Sequence, residues 1–185
     1  MITREIEGRT IYLLLSKPIK RSSILVGKFV GFSWLLALLV ILETLCILAL
    51  LWFFGFAITS FFFLAVVGIF IKLLAILSLI LFFSTFISPI LALFMTLASY
   101  VIGHSGYVIL EHSLTDGSPY FHMFARVVLG IFPNLESLNL KNYVATDAII
   151  SMNLIYISFA LALGYIAIVI FLGASIFQKR SFDNV

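Results

Sequence analysis

The stretch that decides the fold is FVGFSWLLALLVILETLCILALLWFF, residues 29–54, which carries one charge, Glu43. At about 1.5 Å per residue such a run outreaches a ~30 Å hydrocarbon core, so it reads as a membrane span. Directly before it stands MITREIEGRTIYLLLSKPIKRSSILVGK, residues 1–28, which holds six of the eleven Lys and Arg residues: Arg4, Arg9, Lys17, Lys20, Arg21 and Lys28. A polar, amphipathic head set against a span is where a membrane protein meets a cytoplasmic partner.

Working outward, three more segments are long and apolar enough to cross: 61–87, 89–110 and 148–177. The expected fold is therefore all-α, a polytopic helical bundle with four spans at about 29–54, 61–87, 89–110 and 148–177. The expected division is a cytoplasmic amphipathic segment at 1–28 and a transmembrane domain at 29–185. Composition excludes a soluble domain: 63% of residues are hydrophobic and 10% charged, where soluble domains average about 25% charged. The net charge of +3 gathers beside spans, so it reports orientation and not a nucleic-acid partner. Cys46 is the single cysteine and supports neither an internal disulfide nor a thiolate metal cluster. The YLLL run at 12–15 is too short for the apolar core of a secretory signal.

Lys and Arg asymmetry sets the expected topology. The head carries six, the tail adds Lys179 and Arg180, and the 111–147 loop has only Arg126 and Lys141. Eight against two places both termini in the cytoplasm of a multi-pass inner-membrane protein. The short link at 84–89 lets Ser88 cap the third helix with Pro89 in its first turn, and Thr146 or Asp147 can cap the last span. Within the outer loop, Ser118-Pro119 opens a helix with Phe121, Phe124, Val128 and Ile131 at helical spacing, and Pro133 stops it. His122 and Arg126 fall on its other face, so it reads as an amphipathic helix at the outer interface. A lid over the bundle and a gating element are both open to it.

Glu43 and Lys72 are the ionisable residues deep within spans. Each costs roughly 2.5–3.5 kcal/mol or more at the bilayer centre, so such groups face the bundle interior or pair. Glu43 lies about 21 Å from the inner surface and Lys72 about 22 Å, counted along their helices. The depths agree, and the two are expected to meet, either as a structural pair or as a wet, substrate-lining site. His104, His112, His122 and Met123 have no compact metal-ligand spacing, so no metal site is assigned, and Gly103 with Gly106 is expected to allow close helix packing. No nucleophilic triad or carboxylate pair is present, and no G-x-x-x-x-G-K-[ST] phosphate loop.

In the head, Ile6, Ile11, Leu14 and Leu15 can form an apolar face, with Arg4, Glu5, Glu7 and Arg9 toward water. Lys17-Pro18 breaks that element, and Ser22 or Ser23 can cap a second helix running into the first span. Here the residues carry a resemblance. Glu7-x-Arg9-Thr10-Ile11, Leu14-Leu15-Ser16-Lys17-Pro18-Ile19-x-Arg21 and Gly27-Lys28-Phe29-x-Gly31 resemble the cytoplasmic segment of ABC-2 type permeases. Phe83-Ser84-Thr85-Phe86-x-Ser88-Pro89, Tyr100-x-Ile102-Gly103-His104-Ser105, Phe132-Pro133-Asn134-Leu135-Glu136 and Ile176-Phe177-Gln178-Lys179-Arg180 are similar in order and spacing to one branch. That branch is typified by the permease of the nitrous-oxide-reductase copper-maturation transporter.

The resemblance implies that the head is a coupling helix docking into a separate ABC ATPase subunit. Glu5, Glu7, Gly8, Arg9 and Thr10 are then the docking residues, while Lys17, Pro18 and Arg21 shape the turn. It further implies a second permease chain, ATP bound only by the partner subunit, and no enzymatic activity in this chain. Family members usually have two spans ahead of the coupling helix, so the expectation is a truncated product, one part of a split permease, or a short form. The function read here is the permease subunit of an ATP-driven exporter. The alternative is a non-transporting membrane assembly or scaffold protein that recruits a cytoplasmic partner through its head.

Overall fold

A computed structural model of the chain describes residues 21–115, 119–140 and 151–179. These residues form five helices, with no strand among them: α1 (Arg21–Phe53), α2 (Ser60–Phe83), α3 (Pro89–Thr115), α4 (Pro119–Ile131) and α5 (Met152–Lys179). Four are long and apolar enough to cross a membrane, over Ser22–Phe53, Phe61–Phe83, Pro89–Gly106 and Met152–Gln178. The chain is thus a polytopic helical membrane bundle. We call the end holding Arg21 and Lys179 the basic end, and the other the far end.

Helix boundaries depart from expectation where local chemistry overrides hydropathy. α1 runs unbroken from Arg21 through Lys28 into the first span, as expected of the helix that follows Lys17-Pro18. No proline interrupts it, and it ends in a Schellman motif. The Phe56 N–H donates to the Leu51 carbonyl (2.9 Å) and the Gly55 N–H to Trp52 (3.2 Å), with Gly55 at φ 73°. α2 stops at Phe83 instead of continuing to Ile87, where the chain tightens into a turn with the Thr85 and Phe86 N–H groups donating to the Phe82 and Phe83 carbonyls three residues back (3.1 and 3.2 Å). Pro89 opens α3 as expected, with the Ser88 carbonyl accepting the first helical bond from Ala92 (2.9 Å). α3 then runs past residue 110 to Thr115, since nothing breaks it before Gly117-Ser118-Pro119. The caps proposed at Thr146 and Asp147 lie outside the described residues.

With no bulk water to bond in a membrane, spanning helices must satisfy polar groups internally. Ser33, Thr44, Thr96 and Ser99 do so by donating to the carbonyls of Phe29, Val40, Ala92 and Met95 one turn back. The packing seams are made of small residues. On α3 between residues 89 and 106 the buried positions are Ala92, Thr96, Ser99, Gly103 and Gly106, a pattern that lets backbones approach closely.

α2 is the hub, packing against α1, α3 and most extensively α5. The core is three stacked layers. Leu25, Leu81, Ala174 and Phe177 form the basic-end layer. Ile71, Ala75, Ala162 and Ile166 form the middle with Leu135 and Leu138; Ala65 and Ile155 close the far end with Leu140. The three leucines come from no helix. They belong to the segment after α4, which fills the two upper layers where α1 contributes no fully buried residue.

Two glycines make room for that segment. A Cβ on Gly103 would stand 2.5 Å from the Pro133 carbonyl oxygen, and one on Gly68 would stand 2.7 Å from that of Leu138. Gly103 therefore accommodates an inserted backbone and not a neighbouring helix, as the sequence had suggested. Gly68→Ala and Gly103→Ala should each lower stability by about 1–3 kcal/mol, the cost of overpacking. Gly164→Ala, which has nothing within 4 Å of its Cβ position, should be neutral or stabilising by about 0.5–1 kcal/mol. Apparent melting temperatures in detergent check the contrast.

Candidate functional site

Proline 133 ends the helical run, and the chain then turns into the bundle instead of along its surface. The Leu135 N–H donates to the Gly103 carbonyl at 3.1 Å. A turn follows, held by the Ser137 N–H on Asn134 Oδ1 (3.1 Å) and the Ser137 hydroxyl on the Asn134 carbonyl (2.8 Å). Leu135, Leu138 and Leu140 point into the core and are buried. Gly68, which this segment touches, is eight residues into α2, so the segment reaches about 12 Å below the far end.

Glu136 is carried down with it. Its carboxylate Oε2 lies 2.9 Å from His104 Nδ1, and Asn139 Nδ2 donates to both carboxylate oxygens at 3.2 and 3.3 Å. On the other side Lys72 Nζ approaches the same imidazole nitrogen at 3.4 Å. The shorter contact is to the carboxylate, so Nδ1 carries the hydrogen and donates to Glu136, with the ammonium beside the pair. The Tyr100 ring stacks on His104 (centroids 5.8 Å, interplanar angle 5°), and Lys72 Nζ sits 5.5 Å from its centroid. Lys72 is twelve residues from Ser60 and eleven from Phe83, near the middle of α2. One cation, one carboxylate and one imidazole thus join α2, α3 and the inserted segment at mid-bundle depth.

The structure does not bring Glu43 and Lys72 together. Their depths match, but Glu43 is exposed on α1 while Lys72 faces Tyr100 and His104. The reason is helical phase: α1 presents Val40 and Thr44 toward the bundle, and Glu43 falls beside that stripe. Of the docking residues inferred from the head, Glu5, Glu7, Gly8, Arg9, Thr10, Lys17 and Pro18 lie outside the described residues, and Arg21 begins α1.

α4 is amphipathic as expected, but its buried side is Ala125 with His122 partly covered. Phe121, Phe124 and Ile131 face outward, the arrangement that suits contact with lipid. Among the described residues no group of three or more His, Cys, Asp or Glu could hold a metal ion. Beyond the inserted segment, a cavity of about 300 Å³ is lined by Asn134, Ser137, Ser158 and Tyr165 together with apolar groups.

Glu136 was legible only as part of a motif, and His104 as part of another motif and among histidines without metal-ligand spacing. The available signal was a carboxylate set among Leu135, Leu138 and Leu140 just after a helix-ending proline, an apolar spacing too dense for an exposed loop.

A four-span helical bundle with a polar cluster at its centre is a polytopic membrane protein. The chain matches the family model for ABC-2 family transporter proteins over residues 1–182, and it belongs to that family. Comparisons with curated proteins and with solved structures find no match. Within the family the chain is a permease subunit of an ABC transporter, the class of membrane component that works with an ABC ATPase. Two of the motifs behind the resemblance, 100–105 and 132–136, meet at the His104–Glu136 contact.

A double-mutant cycle of His104→Phe and Glu136→Gln, read by unfolding in detergent, should give a coupling of about 0.5–2 kcal/mol, typical of directly contacting residues. The same cycle between Glu43→Gln and Lys72→Met should give additivity.

Proposed function

We propose that this chain is the permease half of an ATP-driven exporter of the ABC-2 type, pairing with a second permease chain and two ATPase subunits in the inner membrane. Both termini face the cytoplasm. Glu5, Glu7, Gly8, Arg9 and Thr10 dock into the ATPase, and Lys17, Pro18 and Arg21 shape the turn that follows. ATP is bound and hydrolysed by the partner, and this chain converts ATPase closure into alternating access. The branch suggested by the motif order is that of the copper-maturation permease.

The observation that carries the reading is the uninterrupted α1. From Arg21 it runs through Phe53, and its Leu25 packs with Leu81, Ala174 and Phe177. A displacement applied just before Arg21 therefore reaches α2 and α5 through a rigid rod and a close-packed layer, the requirement for rocking one helical body against another. A scaffold would need no such mechanical continuity.

The test is co-purification with the ATPase from native membranes. Replacing Glu7 with Ala and Arg9 with Glu should reduce recovery at least about tenfold, equivalent to 1.4 kcal/mol, and abolish ATP-dependent conformational change in the bundle. Undiminished binding after both changes rejects the docking assignment.

A further inference from the structure

The cluster at mid-bundle is buried on one side only. His104 and Glu136 keep 39% and 35% of their side-chain surface exposed. Near the middle of α2, exposure to lipid is costly for ionised groups, which in membranes almost always face a bundle interior or a water-filled cavity. The backbone supplies an independent constraint. Residues 132–140 are non-helical at membrane depth, and such backbone is tolerated only where protein covers it or where it lines water. Charge and backbone thus impose the same requirement on one face.

Along α3, Leu93, Leu97 and Val101 lie on the same side as His104, nearer the basic end, and are exposed and apolar. Water reaching His104 therefore enters from the far end, where α4 and the inserted segment lie.

Resting on the transport reading above, we propose that Lys72, Tyr100, His104 and Glu136 form the polar wall of an aqueous path through the permease, and that this wall contacts the transported molecule. An imidazole 3.4 Å from an ammonium and 2.9 Å from a carboxylate offers donors and acceptors of both signs. They suit a hydrogen-bonding or ionic solute and disfavour an apolar one. Glu136 has a second role as the tie between the inserted segment and α3, so solute engaging His104 competes with the contact that holds the segment in place.

The experiment measures cysteine accessibility in opened native membranes, using the full chain with its partners. Cys46 is replaced first (Cys46→Ala), leaving no other thiol in this chain. Single cysteines are then placed by His104→Cys, Glu136→Cys and Asn139→Cys, the last keeping Lys72, His104 and Glu136 themselves in place if the others misfold. Ile168→Cys serves as the apolar control, exposed on α5 and eleven residues from Lys179. The probe is a charged, water-soluble methanethiosulfonate, which requires thiolate and therefore water. The cluster positions should react at least about tenfold faster than the control.

If they react as slowly as Ile168→Cys while lipid-soluble N-ethylmaleimide modifies them, the wall is covered by lipid or by a second chain, and the proposal is overturned. Recovery of the ATPase with the same Cys variants is measured in parallel. Retained recovery with slow labelling rejects the wall alone, and loss of the ATPase with every variant and with the parent rejects the transport reading.

Discussion

Everything else in this bundle depends on the close approach of one irregular backbone segment to two helices. Pro133 and Leu138 bring their carbonyls against Gly103 and Gly68, closer than any residue with a Cβ permits. From that seat the segment donates one hydrogen bond to α3 and places Leu135 and Leu138 in the middle core layer. It also sets the position of Glu136. A side chain at either glycine would lift the segment, open the core and withdraw the carboxylate from His104.

The charged cluster follows from that geometry. Lys72 is costly in the middle of a span unless a counter-charge reaches it. A helix can carry such a counter-charge only if its own phase is right, and Glu43 on α1 is out of phase. The inserted segment is free of helical periodicity, so it delivers Glu136 where a carboxylate is needed and leaves His104 between the two charges. The stack of Tyr100 on His104 orients the ring for both contacts. A loop thus completes the interior in a way that none of the spans does.

α1 has the opposite character. It is the least buried of the four spans, with Trp34, Leu38 and Leu45 outward, and it joins the core mainly near its basic end through Leu25 and Phe29. Anchoring at one end with a free length beyond suits an element that transmits displacement, since few contacts must be remade when it moves. The bundle thus separates a firmly packed centre of α2, α5 and the inserted segment from a loosely held first span.

The four spans were legible because an apolar run of twenty or more residues has only one stable conformation in lipid, with every backbone group bonded internally. The helix before Pro133 was legible from its periodicity, and the family from an ordered set of motifs. The faces were not legible: helices apolar all round carry no stripe that says which side packs. The Glu43–Lys72 expectation used depth, which sequence supplies, without phase, which packing supplies. Residues 132–140 looked like part of an outer loop because their insertion depends on glycines 68 and 103, which are distant in sequence. By itself, then, the sequence determined what must cross the membrane and which family the chain resembles. Only the tertiary structure decided which charges meet, because that depends on helix rotation and on a backbone contact spanning some seventy residues, from Gly68 to Leu138.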